Sequence, residues 1–133
     1  MIIKVVPDIE KAKSLLKIAQ DREKFIKSAN FNSFPTGKIE SYYEVIKELA
    51  TALALTQGIK ATGEGAHKEL IEFLFEKRFI TEYELNFIQD LRIKRNKSFY
   101  EGKQINLEYL QSREKTILSI ISKLKSILKE KLK

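Results

Sequence analysis

The segment SYYEVIKELATALALTQGIK, residues 41–60, constrains this chain more than any other. Ile39, Tyr43, Ile46, Ala50 and Leu53 recur at helical spacing, and Tyr42, Val45, Leu49 and Ala52 widen the same apolar face. A helix greasy over so much of its circumference belongs at the centre of a bundle or inside a dimer. With 5 Gly and 2 Pro in 133 residues, the chain has little material for a turn-rich β sandwich. The length supports a single core, and no linker, internal repeat or low-complexity tract divides it, so one domain covers residues 1–133.

The remaining segments read as helices around that centre. The first is predicted to start at Asp8, whose carboxylate can cap the opening amides, and to carry Ile9, Ala12, Leu15, Leu16, Ala19 and Phe25 inward. It runs out at the turn formers of NFNSFPTG; the central helix then begins near Thr36 and ends at Gly58. After ATGEG, a shorter helix, AHKELIEFLFEKR, runs to about Arg78. Thr81 with Glu84 three residues on forms a capping box, opening a fourth helix that stops before Gly102. Asn106 caps the last helix, about 25 residues or roughly 38 Å long. Ile117, Ile121, Leu124 and Leu128 form a seam along it, suited to a nearly parallel partner. Phe73, Phe75, Phe79, Tyr83 and Phe87 read as core, and Glu72, Glu76 and Glu84 as solvated. Short loops make the expected fold an all-α, up-and-down bundle of four to five helices. The greasy second helix and the seam on the last are grounds for a dimer. The N-terminal IIKVV is open between a short strand and coil.

Composition removes several kinds of function. The chain has no Cys and one His, which excludes disulfides, thiolate metal sites, cysteine nucleophiles and paired imidazoles. Its acidic residues show no ligand spacing, so neither a metal nor a cofactor is expected. The formal charge of +7 favours anionic partners such as RNA, DNA or an acidic protein surface. The cations are 20 Lys to 5 Arg, however, and many Lys alternate with Glu as on an ordinary solvated helix face. No run approaches the roughly 18 to 20 apolar residues of a membrane helix. Asp8 and Glu10 arrive too soon for a signal-peptide core, so a cytoplasmic chain with no membrane partner is expected. His67, at the start of the third helix, reads as a helix-start or loop-packing residue.

The least ordinary stretch is DLRIKRNKSFYEG, residues 90–102. Arg92 and Arg95 are three apart and share a helix side that overlaps the stripe of Leu85, Ile88 and Leu91. Their guanidiniums are therefore steered toward an interior or an interface, where the planar fork needs a phosphate or a carboxylate. A carboxylate on the second helix, Glu44 or Glu48, would serve as a purely structural partner.

Here the chain resembles the HEPN family of small prokaryotic helical domains. The family's signature is an Arg, usually followed by a polar residue such as Asn, with a His five positions after the Arg. Arg95 and Asn96 match its first two positions, and Tyr100 stands where the His would be. SYYEVIKELATALALTQGIK and AHKELIEFLF also look like the family's second and following helices, extending the resemblance over roughly residues 8–130. The resemblance implies a four- or five-helix bundle that dimerises, with the Arg motifs of two subunits around a shared cleft. It also implies a metal-independent ribonuclease, often the toxin partner of a small nucleotidyltransferase. On that basis Arg95 and Tyr100 are the candidate catalytic pair, with Arg92, Asn96 and Lys97 contacting RNA or a nucleotide.

The departure at Tyr100 changes the expected chemistry. An imidazole titrates near neutrality and can accept the 2′-hydroxyl proton, whereas an ordinary phenol, with pKa about 10, is almost wholly protonated there. Positions 95 and 100 also lie about 140° apart on a regular helix. They face one site only if the helix breaks, with Lys97, Ser98 and Gly102 as plausible places, or if a second subunit supplies one of them. The expected function is a homodimeric HEPN-like protein that binds RNA, a nucleotide or a partner nucleotidyltransferase, with weak or no catalysis. The alternatives are a metal-independent endoribonuclease toxin, and a helical interaction module whose arginines form internal ion pairs.

Overall fold

A computed structural model describes all residues, Met1–Lys133. Its elements are β1 (Ile2–Lys4), α1 (Ile9–Ser28), α2 (Pro35–Thr56), β2 (Ile59–Ala61), α3 (Ala66–Glu76), α4 (Glu82–Glu101) and α5 (Leu107–Lys131). The fold is an all-α bundle of five helices with one small two-stranded sheet. As the apolar breadth of its face requires, α2 is central and packs against α1, α3, α4 and α5. Its Ile39, Tyr43, Val45, Ile46, Leu49 and Leu53 are fully buried.

Local chemistry sets the helix starts. Asp8 accepts from the Lys11 amide at 2.9 Å and Asn106 from the Tyr109 amide at 2.8 Å. At α4 the Thr81 amide donates to Glu84 Oε1 and the Glu84 amide donates to Thr81 Oγ1, which completes the expected capping box. No side chain caps α2; Pro35 in its first turn has no amide to satisfy.

The Asp8 amide donates to the Leu55 carbonyl, so α1 starts where α2 ends and the two run antiparallel. By contrast, α5 starts beside the start of α2. Thr36 Oγ1 accepts from the Ile105 amide at 2.8 Å, and the Tyr42 hydroxyl donates to Glu114 at 2.6 Å. The Ile117, Ile121, Leu124 and Leu128 seam is buried in this intramolecular bundle. Both features that pointed to a dimer, the greasy α2 and the α5 seam, are thus used inside the chain.

Several expectations are corrected. In α1 the inward residues are Ala12, Ala19 and Ile26, spaced by seven, which leaves Phe25 60% exposed and Ile9 at the edge. Phe75 and Tyr83 are also exposed, because α3 turns Leu70, Ile71 and Leu74 inward and Tyr83 lies in the first turn of α4. Glu84 is not solvated: Lys123 reaches it at 2.7 Å from α5. Burial pushes the Glu84 carboxyl up, but Lys123 and the Thr81 amide outweigh it and hold the group below the usual carboxylate range. The central helix ends at Thr56, and the unexpected strand β2 pairs antiparallel with β1, Ile3 opposite Lys60. This resolves Ile2–Lys4 as strand, with Val5 and Val6 outside it.

Gly58 makes the turn from α2 into β2 with φ +69°, and a Cβ there would meet the Val5 carbonyl oxygen at 2.7 Å. Gly58→Ala should therefore lower the unfolding free energy by about 1–3 kcal/mol. Urea denaturation measures this; an unchanged midpoint would mean the β1–β2 clasp can shift freely. Arg78 occupies the same left-handed region just after α3, at φ 61°. Arg78→Gly should raise stability by up to about 1 kcal/mol, since it relieves the side chain's steric conflict there.

Candidate functional site

The arginine segment lies on α4 where it crosses α2. Arg95 is almost covered, with its side chain 13% exposed, and its Nη2 donates to Glu44 Oε1 at 3.2 Å. Its guanidinium also lies over two rings, 4.6 Å from the centroid of Phe99 and 5.7 Å from that of Tyr43. Asn96 accepts from Arg95 Nη1 at 3.4 Å. Arg92 turns along its own helix and donates to Gln89 at 2.8 Å. Lys97 points to solvent. One turn further along, Ser98 Oγ donates to Glu40 at 2.9 Å and ties the end of α4 to α2.

The helix does not break. Its ladder continues to Glu101, and Gly102 closes it in the left-handed conformation, with the Lys103 amide returning to the Lys97 carbonyl. Tyr100 consequently lies away from Arg95, 74% exposed, with its ring edge-on to Phe99 at 4.9 Å. Within one chain Arg95 and Asn96 share a site, and Tyr100 and Lys97 do not join it.

Beside Arg95 runs an open groove of about 570 Å³, lined by Arg22, Phe25, Phe31, Phe34, Glu44 and Phe99 among others. Phe25, Phe34 and Phe99 are more than half exposed. Both arginines on this groove are already paired, while Glu40, also on its lining, accepts only from the Ser98 hydroxyl. Arg22 holds the buried Glu48 with two parallel hydrogen bonds of 3.0 Å, and Arg95 holds Glu44, which Lys47 also approaches at 3.0 Å. Of the two carboxylates expected for Arg95, Glu44 is taken because Arg22 of α1 occupies Glu48.

Two titratable rings adjoin the cluster. Burial pushes the Tyr43 hydroxyl up to about 12, with Arg92 and Arg95 opposing this only in part, so it stays protonated at neutral pH. His67 lies 6.4 Å from Tyr43, ring to ring. Burial lowers its pKa first, and the positive charges of Lys47 and Arg95 lower it further. It is therefore a neutral imidazole near pH 7. His67 packs at the helix start as expected, but its nearness to the arginines was not legible. Arg22, Glu40 and the phenylalanines of α1 and the first loop were missed too. One signal was available for Arg22: in a chain of 20 Lys and 5 Arg, an Arg marks a place where a planar fork is needed.

His67 is the chain's one histidine, so its imidazole C–H signals can be titrated by proton NMR without assignment. The midpoint should lie below 6.5, and Lys47→Gln should raise it by removing a nearby charge. Above the unfolded value both states hold a neutral ring. As pH falls below it the unfolded chain takes up the proton first, so stability should decline until the folded ring protonates as well. A midpoint at or above 6.5 would contradict the half-buried placement beside Lys47 and Arg95.

Set against protein-family models, curated proteins and solved structures, the chain finds no match in any of the three comparisons.

Proposed function

We propose that the chain is a HEPN-like helical module that acts by binding, as a homodimer formed across the Arg95 groove, and does not cleave RNA. The observation that carries this reading is the engagement of Arg95. Its guanidinium donates to Glu44 and Asn96 and is stacked between Tyr43 and Phe99, which leaves it poorly placed to grip a scissile phosphate. A phenol at position 100, out in solvent, adds no general base to it.

A second copy is the occupant this groove suits. Phe99 lines the groove together with Phe25, Phe31 and Phe34 and carries Tyr100 edge-on against it, so an exposed aromatic ridge forms one edge of the groove. A two-fold interface requires that self-complementarity, the ridge of each subunit entering the groove of the other. Because Arg22–Glu48 and Arg95–Glu44 are paired internally, neither arginine brings an unpaired positive charge into such an interface. Such a dimer would bring one subunit's Tyr100 toward the other's Arg95, the shared cleft that the family resemblance implies. RNA, a nucleotide or a partner nucleotidyltransferase would then meet the outer edge of that cleft, where Lys97 is exposed.

Sedimentation velocity at about 10 µM tests the assembly. The parent should sediment as a dimer, and Phe99→Ser should sediment as a monomer with unchanged helix content. A monomeric parent overturns the reading. In parallel, a mixed RNA pool incubated without divalent metal should stay intact. Cleavage by the parent that Arg95→Ala lacks would restore the endoribonuclease alternative.

A further inference from the structure

A second concavity lies at the other end of α2, away from the aromatic groove, where α1, β2 and α3 meet. It encloses about 200 Å³ and is lined by Lys11, Lys47, Lys60, Thr51 and His67, with Leu55, Ile59 and Leu70 among its apolar residues. No carboxylate lines it. That is unusual for this chain, in which Lys and Glu alternate along most helix faces. Lys47 is partly used by Glu44 at 3.0 Å, whereas Lys11 and Lys60 stand exposed at its edge. Lys11 of α1, Lys47 of α2 and Lys60 of β2 thus put three cationic side chains on one hollow, and an anion bound there would be attracted by all of them. Three lysines lining a partly apolar hollow suit a ligand with two parts, a multiply charged head and a small apolar body.

We infer that this hollow is a binding site for a small phosphomonoester, its phosphate held by Lys11, Lys47 and Lys60 and its apolar body seated against Leu55, Ile59 and Leu70. A phosphate dianion matches several ammonium groups better than a carboxylate does, since it has three acceptor oxygens and about twice the charge. The volume is sufficient, because a cavity of about 150 Å³ accommodates a benzene ring. Thr51, which also lines the hollow, donates its hydroxyl to the Lys47 carbonyl one turn back at 2.8 Å. The half-buried His67 lines the same hollow and reports on it. The inference does not depend on the dimer or on the Arg95 groove.

The test uses phenyl phosphate as the probe, at about pH 8, where the phosphate is a dianion and His67 is neutral. Phenyl phosphate should move the His67 C–H signals saturably, with half-saturation below about 1 mM. Phenol and inorganic phosphate, each carrying half of the recognition, should bind about tenfold more weakly or worse. Lys11→Gln with Lys60→Gln, both at exposed positions, should weaken phenyl phosphate about tenfold while thermal unfolding of the protein stays unchanged. A linear, unsaturated response to about 10 mM overturns the site, as does equal affinity for phenol. Unaltered affinity in the double variant would likewise remove the lysines from it.

Discussion

Leu53→Ala should lower the unfolding free energy by about 3 kcal/mol or more, whereas Leu118→Ala should change it by less than about 0.5 kcal/mol. Leu53 is fully buried on α2, the helix that all the others cover, so its truncation leaves a cavity that no single neighbour can fill. Leu118 follows Ile117 in sequence but is 46% exposed on the outer side of α5. Chemical denaturation with both variants measures the contrast. Equal losses would mean that the outer side of α5 is covered in solution, and a small loss at Leu53 would mean that α2 is not the centre of the core.

That contrast also shows what the sequence makes legible. Ile117 and Leu118 are chemically alike, and only the three- and four-residue rhythm of the seam separates them. Periodicity fails where two neighbouring residues fit the rhythm nearly as well: Phe25 and Ile26 differ by one position, and the seven-residue spacing from Ala12 and Ala19 selects Ile26. The caps at Asp8, Thr81 and Asn106 were legible because their partners lie three residues away. The pairing of β1 with β2 was not, because Ile3 and Lys60 are brought together only by the packing of α1 against α2.

The candidate site divides along the same line. The pairing of Arg95 with a carboxylate of α2 was readable from helical spacing and charge, whereas Arg92, expected to share it, turns to Gln89 on its own helix. The groove was not readable. It is assembled from α1, the loop before α2, and α4, and its aromatic residues become neighbours only in three dimensions. Tyr100 illustrates a different limit. The resemblance places it in a catalytic position, but the continuous α4 ladder carries it to the solvent face, so only a second subunit can return it to Arg95.

Arg95→Ala is the substitution that separates the competing roles of this residue, and it should cost about 2 kcal/mol of stability. It removes a charge-assisted hydrogen bond to Glu44 and the stacking of a guanidinium between Tyr43 and Phe99. The loss is held to that size because Glu44 keeps Lys47 as a partner and is itself partly exposed. Arg95→Lys retains the charge and forfeits the planar fork, so it should recover less than half of the loss. Thermal unfolding measures both, and sedimentation of the same samples adds the decisive comparison. If Arg95 merely ties α4 to α2, both variants lose stability and the dimer survives wherever the chain is folded. If the stacked guanidinium shapes the groove that receives a second copy, Arg95→Lys dissociates the dimer at a temperature where it remains fully helical. Dissociation without unfolding is the result expected here, because the cation stacked on Phe99 positions the ring that forms the edge of the groove. A stable Arg95→Lys dimer would assign Arg95 to the bundle alone and move the interface to another face.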